Sequence, residues 1–72
     1  MTTEEAIAAF KAQAPVVSRN VGFDIEYLKI SALIYRLNDE GKMQLTLELL
    51  DKCKHSVTIT NPSMVKLKEL TI

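Results

Sequence analysis

A chain of 72 residues has room for one domain, and nine Lys/Arg against nine Asp/Glu bring its formal charge to zero, which excludes a basic nucleic-acid clamp and an acidic tail. At 47% hydrophobic and 25% charged it is too apolar to be disordered throughout, and a single cysteine excludes a disulfide-stapled scaffold. The opening Met-Thr-Thr-Glu-Glu carries acidic residues and no long apolar run follows, so neither a signal peptide nor a membrane span is expected and a bacterial-type cytoplasm is the expected compartment. A chain of this size buries only about 60% of its unfolded surface and holds a net stability of roughly 3–5 kcal/mol. It therefore needs a well-filled core or a second subunit.

Residues 2–14 read as a helix and hold five of the six alanines. Thr2 and Glu5 have the spacing of a capping box, in which each side chain satisfies a backbone N–H of the first turn. Ile7, Phe10 and Ala14 form one stripe with Ala6 beside it, and Pro15, which pushes Ala14 out of the α region, ends the helix. From Val16 the period changes to two. Val16–Ser18 is a short strand, Asn20-Val21-Gly22 a turn, and Asp24 and Glu26 belong to a connection. Tyr27–Leu37 carries Leu28, Ile30, Ala32 and Ile34 on one face and Leu33, Tyr35 and Leu37 on the other, so the strand is central, or bent so that each half buries a different face.

Asn38-Asp39-Glu40-Gly41 is a hairpin loop with Gly41 suited to the left-handed position. Met43, Leu45, Leu47 and Leu49 then alternate with polar residues as a half-buried strand. After the polar connection Asp51–His55, Val57 and Ile59 alternate with Ser56, Thr58 and Thr60. Asn61-Pro62-Ser63 caps one helical turn, and Val65 and Leu67 form a closing strand before a frayed end at Thr71-Ile72. Five short antiparallel strands hide their edges best by curling up. The expected fold is mainly β: a single domain over 1–72, with a helix at 2–14 covering a five-stranded SH3-like barrel at 16–70. An Sm-like barrel is the alternative.

Ile30–Arg36, Glu48–Lys52 and Ser56–Ile59, with Pro62 and Val65, resemble small uncharacterised proteins from conjugative, mobile elements of Firmicutes. The resemblance runs from about Tyr27 to Leu67. It implies a bacterial cytosolic accessory protein and brings no catalytic residues with it.

Cys53 and His55 have the i, i+2 spacing of a nucleophilic dyad, but neither oxyanion-hole glycines nor an orienting third residue accompanies them. They are also too few for a zinc site. Glu4-Glu5 suits a helix N-terminus, and the other carboxylates read as solvated rather than split in pKa for acid–base work. Two glycines, Gly22 and Gly41, make no phosphate loop. An enzyme is therefore not expected, and neither is a cofactor or a metal.

Residues 1–26 hold four acids and two bases, whereas 51–72 hold two acids and four bases. Lys52, Lys54, Lys66 and Lys68, joined by Arg36, would make a weak phosphate-binding patch if folding grouped them. Leu33, Tyr35, Leu37 and Leu50 would instead make a protein-binding surface, because outward leucines exceed what one small core hides. The expected function is a non-enzymatic protein-interaction module that binds an unknown protein partner or itself. The alternative is a weak nucleic-acid-binding barrel.

Overall fold

The computed structural model describes residues 1–68 apart from Val21. In order, these form α1 (Thr3–Ala12), β1 (Val16–Asn20), β2 (Phe23–Tyr27), β3 (Lys29–Leu37), β4 (Met43–Leu50), β5 (Val57–Thr60), a 3₁₀ turn (Pro62–Met64) and β6 (Val65–Leu67). They build two three-stranded antiparallel sheets, ordered β2-β1-β6 and β3-β4-β5. The barrel expectation, SH3-like or Sm-like, is thereby overturned. No strand of one sheet pairs with the other among the described residues, and there are six strands rather than five. The sixth is Phe23–Tyr27, which takes in Asp24 and Glu26, expected in a connection, and Tyr27, expected to open the long strand, and it pairs along its whole length with β1.

Strand lengths explain the open form. β5 and β6 have four and three residues, against nine in β3 and eight in β4, so the short strands cannot cover the long hairpin. That hairpin projects and stretches the molecule to 43 × 23 × 22 Å. Its radius of gyration is 12.2 Å, against about 11 Å for an average domain of this length.

The helix begins as its sequence dictates. Glu5 N–H donates to Thr2 Oγ1 at 3.1 Å, and Thr2 N–H donates to Glu5 Oε1 at 3.0 Å. It ends at Ala12, two residues before the expected Ala14. Gln13 occupies the left-handed region (φ 53°), where its N–H donates to Phe10 O and Ala14 N–H reaches back to Ala9 O. This pairing satisfies two orphan carbonyls, a task glycine usually performs. The face that docks also differs from the expected stripe. Ala6 and Ala9 are buried while Ile7 and Phe10 are half-buried, because alanines let the helix backbone approach the sheet closely. The Met1 α-ammonium donates to Pro62 O (2.8 Å) and Val65 O (2.9 Å), joining the helix start to the 3₁₀ turn.

The core is Ala6, Ala9, Val16, Tyr27, Ile30, Leu47, Leu49 and Val65, with Met1, Phe10, Leu33 and Leu45 packed on it. It depends on a β-bulge in β3. Ile30 lies opposite Leu49 and Ala32 opposite Glu48, so Ser31 is an extra residue. Ser31 Oγ donates to Glu48 O (3.2 Å) and Oε2 (2.7 Å), which fastens the bulge. Ile30 and Leu33, three apart, thus both point to the Leu47/Leu49 side. This is the bent strand expected from its two apolar faces.

β5 turns its threonines to the core side. Thr58 and Thr60 pair with the core leucines Leu49 and Leu47, whereas Val57 and Ile59 pair with Leu50 and Glu48 on the outer face. Thr58 Oγ1 accepts from the buried Tyr27 hydroxyl at 3.3 Å, so a threonine there answers a polar group that would otherwise be unpaired. At the other hairpin Asn38 Oδ1 accepts from Glu40 N–H and Lys42 N–H, and Gly41 takes φ 78°.

Two changes test this packing. Gln13→Gly relieves the left-handed strain and is expected to raise stability by about 0.5–1 kcal/mol in urea unfolding. Leu47→Ala empties the centre of the core at a cost of roughly 2–5 kcal/mol, comparable with the whole stability of so small a domain. Its amide spectrum is expected to lose dispersion at room temperature.

Candidate functional site

Directly paired residues of antiparallel strands share a face. Leu33 pairs with Leu47, Tyr35 with Leu45 and Leu37 with Met43, so three apolar rungs run outward along one face of the β3–β4 hairpin. The first rung belongs to the core: Leu47 is fully buried and Leu33 packs against the buried cluster. Beyond it the core ends and the face continues into solvent. Tyr35 is 46% exposed, Leu37 71% and Met43 67%. Arg36, Asp39, Glu40 and Lys42, all exposed, surround the hairpin end with charge.

Of the four residues expected to make a protein-binding surface, the fold thus brings together Leu33, Tyr35 and Leu37, with Leu33 as an inner anchor rather than an outward leucine. Leu50 lies on the opposite face, beside Val57. Met43 and Leu45, expected on the apolar side of a half-buried strand, complete the surface. Counting residues outward from the tight turn at Asn38–Gly41 pairs them with Leu37 and Tyr35, so the turn was the signal that could have found them. Phe23 and Ile25 are also exposed, but they stand opposite Asn20 and Ser18 and do not extend an apolar face across two strands.

The basic residues divide differently. Lys52 and Lys68 both bind the Glu26 carboxylate, Lys68 at 3.1 Å. Lys66 lies 3.7 Å from Asp24. The acidic first part of the chain and the basic last part therefore meet on the outer face of β1, β2 and β6 and neutralise each other. Bonds from the Lys52 ammonium, and then from Lys68, hold the Glu26 carboxyl below the usual glutamate range. A bond from the Thr2 backbone N–H does the same for Glu5. Arg36 stands opposite Gln44 near the hairpin end. From there β4 climbs about 20 Å to Leu50, the residue before the loop that carries Lys52 and Lys54. The five basic residues do not form one patch.

Cys53 and His55 are exposed in that same loop, which is closed by Asp51 N–H donating to Ser56 O and holds Lys54 at φ 59°. No group of three or more His, Cys, Asp or Glu is arranged to hold a metal ion among the described residues. Nor is any described helix long and apolar enough to cross a membrane. The fraying expected at Thr71-Ile72, like Val21 of the first turn, lies outside the described residues. Comparison with protein-family models, with curated proteins and with solved structures gives no match.

The double grip on Glu26 has a pH signature. A carboxyl held low in the folded state contributes stability above its unfolded value of about 4.3, and that contribution is lost as pH falls through the lower folded value. In a carbon-detected NMR titration the Glu26 carboxyl is expected to titrate below the ordinary glutamate midpoint. In Lys52→Ala/Lys68→Ala it is expected to return to that midpoint.

Proposed function

We propose that this chain is a non-enzymatic protein-interaction module whose contact surface is the outer part of the β3–β4 hairpin, centred on Tyr35, Leu37, Met43 and Leu45. The observation that carries the reading is the pair of apolar rungs, Tyr35–Leu45 and Leu37–Met43, continuing the core-facing side beyond the end of the core. Their exposed side chains present on the order of 300 Å² of apolar surface, within the range of the largest patch on a typical monomer, which is often functional. A tyrosine and a methionine beside leucines, ringed by charge, are the residues that protein interfaces favour at their centre. The partner is an apolar surface of another protein or of a second copy. On the resemblance noted above, the setting is the bacterial cytoplasm and the partner assembly is one that a mobile element encodes.

A weak nucleic-acid-binding role is the less supported reading. Lys52, Lys66 and Lys68 already have carboxylate partners, and a phosphate would have to displace them.

The test places a photo-crosslinking amino acid at Leu37 or, as a control, at the exposed Glu4. Discrete adducts, including a homodimer, are expected in living cells from position 37 alone and are expected to vanish when Met43→Asp is added. Adducts from neither position, or equally from both, would refute the reading.

A further inference from the structure

The cations without an acidic partner are more informative than those with one. Lys11, Lys29 and Lys54 form no ion pair among the described residues. They come from the last turn of α1, the start of β3 and the β4–β5 loop, and they line two adjoining hollows of about 520 and 350 Å³, Lys11 and Lys29 in the first and Lys29 and Lys54 in the second. The hollows share Gln13, Lys29 and Leu50, and end to end they make a groove of two lobes. Lys29 Nζ donates to Gln13 Oε1 at 3.1 Å across this junction. Leu50 floors both lobes, joined by Phe10 and Ile30 in the first and by Leu28 in the second.

We propose that this groove binds an acidic peptide segment carrying an aliphatic side chain. Charge complementarity sets the sign of the ligand. Three lysines and no carboxylate are among the groove's lining residues; Glu48 is tied to the lining residue Ser31, whose Oγ donates to its Oε2 at 2.7 Å. The negative end of the α1 dipole also falls here, but it amounts to about half a charge, and Lys11 in the last turn offsets it. The apolar floor sets the second requirement: Leu50 and Leu28, both half-buried, offer methyl groups to an aliphatic side chain placed between the charges. A nucleic-acid strand suits the groove less well. Bases need an open aromatic face to stack on, and Phe10, the aromatic residue here, is packed against the core. The site is separate from the hairpin face, so a Leu37→Asp variant is expected to retain it.

The test is fluorescence anisotropy of a labelled synthetic peptide that alternates glutamate with leucine, titrated at low salt with the 72-residue chain. Saturable binding is expected, weakened about tenfold by Lys29→Gln/Lys54→Gln and less than about twofold by Lys52→Gln/Lys66→Gln. A peptide with serine in place of each leucine is expected to bind several-fold more weakly. These lysines lie at the surface, and dispersed amide spectra of both variants would establish that the fold is retained. The proposal is overturned by absence of saturation, by equal loss in the two lysine pairs, or by indifference to the leucines. It is equally overturned if a single-stranded oligonucleotide displaces the peptide at the same concentration, which would make the groove a phosphate site.

Discussion

A β-strand alternates its faces with period two, yet this small domain has one core, and β3 must supply it from both halves of its length. Ser31 resolves the conflict. As the extra residue opposite the Leu49–Glu48 step, it shifts the parity so that Ile30 and Leu33 face the same side. Without the shift either Ile30 or Leu33 would point away from Leu47 and Leu49, and α1 would have no continuous apolar surface on which to lay Ala6 and Ala9. The hydroxyl of Ser31, bonded to the Glu48 carbonyl and carboxylate, holds the distortion in place. The bulge also determines which side of the distal hairpin is apolar. Tyr35 and Leu37 continue the face of Leu33, and Leu45 and Met43 continue that of Leu47. The proposed interaction surface is the core's own face carried past the point where other elements cover it.

Electrostatics shape the rest of the surface by sorting cations rather than by adding stability. Exposed pairs such as Lys66–Asp24 are individually worth about 0–1 kcal/mol. Their effect lies in which charges they leave over. With Lys52 and Lys68 committed to Glu26 and Lys66 to Asp24, the cations outside these ion pairs include Lys11, Lys29 and Lys54, which line adjoining hollows with Leu50. A chain of zero net charge thus acquires a locally positive groove through the arrangement of its strands.

Where a residue's state depends on near neighbours, the sequence was legible. The Thr2/Glu5 capping box, the Asn38–Gly41 loop with Gly41 at positive φ, the alternation of Met43–Leu49 and the Asn61-Pro62 start of the 3₁₀ turn all formed as read. Each is decided by backbone hydrogen bonds within a few residues. Readings that required a distant partner failed. Asp24 and Glu26 look like part of a connection, but β1 pairs with Phe23–Tyr27 throughout, and Lys66 of β6 and the following Lys68 bind the two carboxylates. The alternation of Val57 and Ile59 with Thr58 and Thr60 left open which set faces the core, and the register with β4 turned the threonines inward, where Tyr27 needs a hydroxyl. A closed barrel looked economical until the brevity of β5 and β6 left the two sheets without a strand pair between them among the described residues.

The candidate surfaces follow the same division. Sequence alone determined the mainly β character, the N-terminal helix, the hairpin end and an excess of apolar residues near Leu33–Leu37, because composition, period and turn chemistry are local properties. The Asn38–Gly41 turn also carried the pairing that brings Met43 and Leu45 to that surface, but only the tertiary structure decided that Leu50 leaves it for the face of Val57. It also decided that the expected phosphate patch is largely neutralised, and that Lys11, Lys29 and Lys54 share a groove. Those outcomes depend on register and on which elements meet in space. A one-residue shift in pairing moves every side chain of a strand to the other face, and where no tight turn joins the two strands no local signal carries that information.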